Sequence, residues 1–314
     1  MIPVRNILYS FGFIFILINT TFFSRCADPL KQQLFPYKLH KPDKIYVMKN
    51  KVAEISGLSV VSDKEIALVE DETGSIYFYD LVKEKITRTV RFSKKGDFED
   101  LKVIGDTAYV LRSDGRIFQV LNINGPESGI IKNEYKTALS DDNDTEGLCY
   151  DDQKKILLIA CKGDAGIDKK MKKKKAVYSF DPATKLLSDT PVYLINMNDV
   201  ENLAHGMHAN FVEKLINFYR NTQPKVKFEP SGISIHPFTR EIYVISSVGN
   251  ALIIMDAEGN ITQVMKLSPA VFRQPEGIAF DTQGNLYISN EGRNGRGNIL
   301  KFIHEKNQHV TAEI

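Results

Sequence analysis

The chain has 314 residues, of which 43% are apolar and 25% are charged, a composition typical of a soluble globular protein. Its formal net charge is +2, and both excess charges come from Arg5 and Arg25. This balance argues against a protein that binds nucleic acid through bulk positive charge, so we expect no nucleic-acid partner.

The first 26 residues predict a secretory signal peptide. They combine a short basic start with an apolar run over residues 7–18, shorter than the roughly 20 apolar residues of a membrane-spanning helix. Two routes stay open at Cys26: lipid attachment, as in a bacterial lipoprotein, or cleavage by ordinary signal peptidase, since Arg25 stands where a lipoprotein signal has a small residue. Both routes export the protein to the periplasm or cell envelope, and residues 27–43 are expected to be a linker.

Five stretches of the remaining chain share a glutamate, usually a glycine, an aliphatic residue, a polar turn and an alternating β-rich strand. In chain order they are "EISGLSVVSDKEIALVE" from Glu54, "FEDLKVIGDTAYVLRS" from Phe98, "TEGLCYDDQKKILLIA" from Thr145, "EPSGISIHPFTREIYVIS" from Glu229 and "QPEGIAFDTQGNLYISN" from Gln274. The spacings of their aliphatic residues are 43, 47, 85 and 45, measured between Leu58, Leu101, Leu148, Ile233 and Ile278. A period of about 45 residues with four short strands per unit is typical of a β-propeller.

Two further strands complete each of the first four units. In chain order these are "SIYFYDL" and "KITRTVRF", "GRIFQVLNI" and "IIKNEYKT", "AVYSFD" and "PVYLINM", and "ALIIMDA" and "ITQVMKL". The fifth unit has "GNILKFI" but lacks a fourth strand. We predict that "KIYVMKN" from Lys44 supplies it, because a ring closed by both ends of the chain leaves no exposed sheet edge.

The 85-residue spacing contains a helical insertion rather than a sixth unit. Apolar residues recur there every three or four positions, at Val200, Leu203, Met207, Phe211, Leu215 and Phe218. We therefore predict an all-β fold, a five-bladed β-propeller over residues 44–304, with a helical insertion at 198–224 between blades three and four. Residues 305–314 form a C-terminal tail.

Cys149 and Cys161 are predicted to be buried free thiols. They lie on adjacent strands joined by the turn "DDQK", and a regular hairpin places Cys149 opposite residue 157 or 158. The resulting stagger of about 10 Å is too long for a disulfide bond.

The motifs also resemble a known family. "QPEGIAFDTQGNLYISNEG…GNILKF" resembles an NHL-type propeller repeat, and the set "DFEDLKVIGD", "DTEGLCYD", "EPSGISIHP" and "QPEGIAFD" resembles the SdiA-regulated (YjiK-like) family over residues 44–303. This resemblance implies a five-bladed propeller with calcium bound near its central cavity, and no known activity. The motifs around Glu99, Glu146 and Glu276 match best, and those at Glu54 and Glu229 match less closely.

The five glutamates stand at or before the first strand of their blades, which lines the channel of a propeller. They are therefore predicted to ring one channel mouth: Glu54, Glu99, Glu146, Glu229 and Glu276. Neighbouring carboxylates repel one another, and oxygen ligands without His or Cys favour Ca²⁺ over Zn²⁺. We predict a calcium site with Glu99, Glu146 and Glu276 as its first ligands. The alternative is that these side chains are solvated or accept backbone N–H groups.

Further candidates surround this mouth. The lysine-rich loop "DKKMKKKK" (168–175) and the helical insertion are predicted to emerge on the face that carries the glutamates, although a lysine run is also typical of a solvated loop. The candidates for direct contact with a ligand are Lys162, Glu291, Arg293 and Arg296.

Two functions remain open. The first is an exported, monomeric calcium-binding module whose partner at the metal face is an unidentified small molecule or protein. The alternative is a metal-dependent hydrolase of lactones or phosphoesters, in which the metal activates water. The catalytic residues are left unassigned, because the sequence has no G-x-S-x-G, H-E-x-x-H, Walker or EF-hand pattern.

Overall fold

The structure is a computed structural model and describes residues 35–48, 52, 54–208, 227–292 and 295–308. In these residues the chain forms 21 β-strands and two α-helices, and the strands assemble into five antiparallel sheets. This arrangement is a five-bladed β-propeller and confirms the predicted fold and blade number. The predicted signal peptide with Cys26, and the end of the predicted insertion from residue 209, lie outside the described residues.

Four blades are continuous in sequence. Blade 1 contains β2 (Ile55–Ser62), β3 (Glu65–Glu70), β4 (Ser75–Asp80) and β5 (Lys85–Arg91), and blade 2 contains β6 (Phe98–Ile104), β7 (Thr107–Arg112), β8 (Ile117–Leu121) and β9 (Ile131–Tyr135). Blade 3 contains β10 (Thr145–Asp151), β11 (Ile156–Cys161), β12 (Lys174–Asp181), β13 (Leu186–Leu187) and β14 (Tyr193–Asn196). Blade 4 contains β15 (Gly232–Ile235), β16 (Ile242–Ser246), β17 (Ala251–Met255) and β18 (Ile261–Lys266).

Blade 5 joins the two ends of the chain. It contains β19 (Pro275–Phe280), β20 (Leu286–Asn290), β21 (Asn298–Phe302) and, as its outer strand, β1 (Lys44–Val47). β1 runs antiparallel to β21 and pairs Lys44 with Lys301 and Val47 with Asn298. The predicted closure by "KIYVMKN" is thereby confirmed, and the edge of β21 is covered.

The tight turns use residues suited to their backbone. Between β19 and β20, Asp281 Oδ1 accepts the N–H groups of Gln283 and Asn285 at 3.0 and 2.8 Å. Gly284 in this turn has a φ of 78°, and a Cβ there would lie 2.8 Å from the Phe238 ring. The backbone and the space at this position both require glycine.

The inner strands β2, β6, β10, β15 and β19 contact one another in a closed ring. We call the channel end where these strands begin the glutamate mouth, and the end where they finish the far mouth. Glycines permit the close approach of neighbouring strands: a Cβ on Gly232 would lie 2.4 Å from the carbonyl oxygen of Glu276, and one on Gly57 would lie 2.5 Å from Cα of Asp100.

The core lies between adjacent blades. Between blades 1 and 2, the rings of Phe92, Phe98 and Phe118 pack with centroids 4.8 to 5.6 Å apart. Burying each such ring contributes about 1.5–3 kcal/mol relative to leaving it exposed. Equivalent apolar clusters lie between blades 2 and 3, between blades 3 and 4, and between blades 5 and 1, so contacts between blades stabilise the ring as well as the sheets do.

Residues 36–43, which the sequence assigns to a linker, are bound to blades 4 and 5. The Tyr37 hydroxyl donates a hydrogen bond to the carbonyl oxygen of Gly284 at 2.5 Å and lies 3.0 Å from Nε2 of His236. The Asp43 carboxylate accepts the N–H of Ile303 at 2.8 Å. These contacts extend the closure beyond the four paired residues of β1.

Helix α1 (Met197–His208) follows β14 and contacts β18 of the next blade. Val200 is fully buried in the core between blades 3 and 4, with Met197 and Leu203 packed against it. The predicted helical insertion is therefore present over its described part. The predicted C-terminal tail begins with the short helix α2 (Glu305–Gln308).

Two details of blade 3 concern the sequence predictions. Cys149 lies opposite Leu158, and Cys149 and Cys161 are buried free cysteines, as predicted. The blade has a fifth strand that the sequence pattern does not indicate, because β13 pairs with the end of β12 and β14 pairs with its beginning.

In the described part of the chain, neither helix is long and apolar enough to cross a membrane.

Candidate metal and ligand site at the channel mouth

A β-bulge near the start of the inner strand positions the three best-matching glutamates. The pairing register shifts between Phe98 and Asp100, between Thr145 and Gly147, and between Pro275 and Ile278. Each shift leaves an additional residue on the inner strand, and these are the places of Glu99, Glu146 and Glu276. A bulge changes the direction of a side chain, which lets carboxyl groups from three blades approach one another.

The predicted ring of five glutamates is not formed in this way. In blade 1 the register shift falls on Ser56, between Ile55 and Gly57, so Glu54 stands two residues before it. In blade 4, Ser231 directly precedes Gly232, and Glu229 again lies two residues earlier. The "E-x-S-G" motifs therefore place serine where the other three blades have glutamate.

Glu99, Glu146 and Glu276 form an acidic cluster. Glu146 is 7% exposed and the other two are half-buried. Glu99 is hydrogen-bonded to Glu146, and burial, followed by the charge of Glu146, raises the pKa of Glu99 far above its ordinary value. Both effects favour the protonated form of the Glu99 carboxyl group. Burial, and then Glu146, raises the pKa of Glu276 to about 8.

Lys162 is the cation in this cluster. It is the first residue after β11, and its Nζ donates a hydrogen bond to Oε1 of Glu146 at 2.5 Å and lies 3.8 Å from Oδ2 of Asp144. Burial acts to lower the pKa of Lys162, but Glu146 and Asp144 raise it above its ordinary value. Lys162, a predicted ligand contact, is therefore part of the cluster, where its ammonium group interacts with Glu146, Asp144 and, through charge alone, Glu276.

Glu291 adjoins the cluster through Gln274. Its backbone N–H donates to the carbonyl oxygen of Gln274 at 2.9 Å, and its side chain accepts a hydrogen bond from the Gln274 amide. Gln274 is hydrogen-bonded to Glu276 in turn. Of the other predicted contacts, Arg296 is exposed, and Arg293 lies outside the described residues.

Glu54 belongs to a second acidic group at the same mouth. Burial, and then the charge of Glu54, raises the pKa of Asp71 to about 6. Among the described residues, the buried atoms Oε1 of Glu70, Oδ1 of Asp71 and Oδ1 of Asn290 have no hydrogen-bond partner. The mouth thus contains buried acceptor oxygens that no described residue satisfies.

Glu229 faces the lysine-rich loop. It pairs with Val248 in an isolated β-bridge, and its backbone N–H donates to Oγ of Ser246 at 2.9 Å. A cavity of about 630 Å³ separates this segment from the lysine loop and helix α1. Its lining comprises Gly163, Asp164, Met197, Glu201, Val248, residues 170–175 and residues 227–229. The loop and the described part of the helix therefore share the glutamate face, as predicted.

The donor chemistry of the mouth fits a hard cation, because the groups are carboxyl and amide oxygens with excess negative charge. Within the described residues, however, no three carboxylate, imidazole or thiol groups are positioned to hold a metal ion together. The proton on Glu99 and the ammonium group of Lys162 compensate part of the charge that a cation would neutralise.

The sequence profile of the SdiA-regulated family matches residues 184–294, which confirms the predicted resemblance. No curated protein matches the chain by sequence. The glutaminyl cyclase of Myxococcus xanthus aligns with a TM-score of 0.54 at 13% identity, over 83% of this chain and 94% of the cyclase. The virginiamycin B lyase of Staphylococcus aureus aligns with a TM-score of 0.41 at 14% identity, over 83% of this chain and 74% of the lyase. The likeness to the cyclase shows the fold alone.

Proposed function

For this five-bladed propeller, which matches the SdiA-regulated family over residues 184–294, we propose a binding function at the glutamate mouth that depends on Ca²⁺. Glu99, Glu146 and Glu276 hold the cation, and Glu229 and Glu54 lie around it. The observation that carries the proposal is that carboxyl groups from three blades interact at this mouth: Glu146 with Glu99, with Glu276 and with the Lys162 ammonium group. A bound calcium ion would neutralise these carboxylates and offer its remaining coordination positions to oxygen atoms of a ligand.

The chain's own groups determine how a cation enters. A protonated Glu99 must release its proton, because a carboxylate binds a cation only in its ionised form. The Lys162 ammonium group must leave Oε1 of Glu146. The second partner of Lys162, Oδ2 of Asp144, lies 3.8 Å from Nζ, so the ammonium group could pair with Asp144 when a cation takes its place at Glu146.

The partner that fits the same face is anionic. The cavity beside Glu229 is lined by lysines 170, 172, 173, 174, 175 and 227, against the acidic residues Asp164, Glu201 and Glu229. Its apolar wall includes Met171, Met197 and Phe228. A small organic anion with an apolar part would therefore pair with the lysines and pack against this wall. We expect the protein to bind it as an exported monomer.

A hydrolase function has less support. General-base catalysis needs a group within hydrogen-bond reach of the attacking water. His236 and His304 are buried beside Tyr37 at the turns that follow β15 and β21, on the side of the far mouth. Neither imidazole can therefore act as a base at the glutamate mouth. No observation at the glutamate mouth favours catalysis over binding.

Calorimetric titration of EDTA-treated protein with CaCl₂ near pH 7.5 tests the proposal. We expect wild type to bind calcium and Glu276→Gln to bind it roughly tenfold more weakly, a loss of about 1.4 kcal/mol. Glu258→Gln is the matched control, because Glu258 is exposed in the turn between β17 and β18. Absence of binding to wild type, or equal binding by Glu276→Gln, would overturn the assignment.

A further inference from the structure

The far mouth of the channel contains a second cavity, which the proposed calcium site does not use. Its volume is about 280 Å³, and all five inner strands or the turns after them contribute to its wall.

Most charged groups of this cavity are already paired. The Arg240 guanidinium donates to Asp151 and Asp152, at 2.5 Å in each case. The carboxylate of Asp281 accepts the side-chain amide of Asn285 at 2.8 Å, besides the backbone groups of its own turn. These side chains maintain the turns at the far mouth, and the Arg240 guanidinium is occupied by its two aspartates.

Lys102 differs from its neighbours. It lies in β6 and is half-buried on the cavity wall. Among the residues that the structure describes, its side chain makes no hydrogen bond and no ion pair. An amine in this position has an open cavity in front of it and no partner that must first be displaced.

The groups nearest to Lys102 do not hold it. Asp100 uses its two carboxyl oxygens to accept the backbone N–H groups of Leu101 and Leu148, at 2.8 and 2.7 Å. Cys149 is a buried thiol whose pKa burial raises, so it stays uncharged at neutral pH. Burial lowers the pKa of Lys102, and the weaker effects of Cys149, Asp100 and Asp152 oppose it.

We propose that the ε-amine of Lys102 is a nucleophilic site that forms an imine with small, uncharged aldehydes entering the far mouth. The amine lone pair attacks the carbonyl carbon, and the C–N bond forms as the C=O π pair moves to oxygen, which takes up the proton that nitrogen loses. The carbinolamine then loses its hydroxyl group with the remaining N–H proton as one water, and the nitrogen lone pair forms the C=N bond of the imine, so no oxidant or reductant is consumed.

The cavity defines the class of aldehyde. A volume of about 280 Å³ admits a molecule of a few carbon atoms. Three aspartates line the cavity, Asp63, Asp152 and Asp281, against Arg240 and Lys102. An anionic aldehyde is therefore disfavoured relative to a neutral one. The apolar side chains Val60, Ile235 and Phe280 suit an alkyl aldehyde.

Trapping with propanal and cyanoborohydride at pH 7.5 tests this proposal on the full chain. Mass spectrometry of peptides compares the alkylation rate of Lys102 with that of Lys95, whose side chain is 86% exposed. We expect Lys102 to react at least about fivefold faster, because only an unprotonated amine attacks a carbonyl. Equal or slower reaction of Lys102 would overturn the proposal.

A second aldehyde distinguishes reaction inside the cavity from the general reactivity of lysine side chains. An aldehyde too large for 280 Å³, such as a pyrene carboxaldehyde, should label Lys95 and leave Lys102 unmodified. Preferential labelling of Lys102 by both aldehydes would contradict a size-limited site. The variant Lys102→Met should lack the labelled peptide, which identifies the signal of Lys102. Its melting temperature, compared with that of wild type, shows whether the variant is folded. Calcium binding at the other mouth should be the same in this variant, so the outcomes of the two proposals are distinguishable.

Discussion

The Nζ atom of Lys162 lies 2.5 Å from Oε1 of Glu146 and 3.8 Å from Oδ2 of Asp144, and it joins the end of β11 to the beginning of β10. Glu146 is hydrogen-bonded in turn to the carboxyl group of Glu99 on blade 2. Lys162 therefore offsets part of the negative charge of the glutamate mouth.

Lys162→Met tests this role. Removing the ammonium group leaves Glu146 without a counter-ion, and we expect a loss of about 1–2 kcal/mol in the free energy of unfolding, less than for a fully buried pair because Lys162 is 32% exposed. Calcium should restore more stability to this variant than to wild type, since the competing ammonium group is gone. Urea unfolding with calcium or with EDTA measures both effects.

The control for this experiment is Lys83→Met, which removes a surface ion pair with Asp80 at 3.2 Å. We expect this change to cost less than about 1 kcal/mol and to be insensitive to calcium. If Lys83→Met and Lys162→Met gave equal losses and equal calcium responses, the interpretation of Lys162 as the cation of the mouth would be wrong.

Asp100 is expected to be a strong determinant of stability. It is 2% exposed, and its carboxyl oxygens accept the N–H groups of Leu101 in its own strand and Leu148 in the next blade. Asp100→Ala leaves these buried donors unsatisfied and should cost about 2–4 kcal/mol in the free energy of unfolding. Asp106→Ala is a comparison on the surface of the same blade, where the carboxylate accepts the exposed N–H of Asn124. A loss at Asp100 no larger than at Asp106 would contradict the tie between strands.

His236 predicts an acid-sensitive component of stability. Burial, followed by His304 and Lys306, lowers its pKa from 6.5 to about 4. The unfolded chain therefore binds a proton more readily than the folded one between these values. The stabilisation is complete above pH 6.5 and is lost as the pH falls toward 4, by roughly 3 kcal/mol in total.

The hydrogen bonds of His236 give the physical reason. Its Nδ1 accepts the backbone N–H groups of Phe238 and Thr239 at 3.3 and 3.1 Å, so Nε2 carries the proton and faces the Tyr37 hydroxyl. Protonation of Nδ1 removes that acceptor. Thermal unfolding from pH 8 to pH 4.5 measures the slope, and His236→Gln should flatten it. An unchanged slope in this variant would assign the acid sensitivity to other groups.

Deletion of residues 1–50 is expected to destabilise the propeller strongly. It removes β1 and the buried side chains of Tyr37, Tyr46 and Met48, each of which contributes about 1.5–3 kcal/mol. A variant that begins at Phe35 keeps all of these contacts and is the matched control. If both variants melted at the same temperature, closure through β1 would not contribute to stability.

Export remains a proposal with a direct test. Intact-mass measurement of protein purified from its native host should find the first 26 or so residues removed. A diacylglycerol on Cys26 would identify a lipoprotein, whereas its absence would favour ordinary cleavage. An intact Met1 terminus would contradict the signal-peptide prediction.

The repeat predicts the blades because each blade needs the same sequence of inner strand, tight turn and second strand. The spacing of Leu58, Leu101 and Leu148 therefore gives the blade length directly, and all three are buried in the structure. The offset of two residues in the "E-x-S-G" motifs is also visible in the sequence, where Ser56 and Ser231 stand immediately before glycine. That offset could have separated Glu54 and Glu229 from the other three glutamates.

Other parts of the site depend on contacts that no local pattern specifies. The bulges at Glu99, Glu146 and Glu276 follow from the register between paired strands. The sequence alone does not specify which residues of two paired strands lie opposite each other. Blade 2 has Asp100 where the other blades have glycine, and a Cβ on Gly57 would lie 2.3 Å from its Oδ1. The Asp100 carboxylate thus uses space that a glycine in the neighbouring blade leaves, a relationship that only the closed ring reveals.

The pairing of β1 with β21 also constrains the order of assembly. β1 ends at Val47 and β21 begins at Asn298, with the other four blades between them in the chain, so blade 5 cannot be completed until those four blades have been synthesised and, if the protein is exported, translocated. Until then the edges of β19 to β21 are open to pairing with other chains. Contacts of such long sequence separation form slowly, so closure should be the late step of folding and the interval most vulnerable to aggregation.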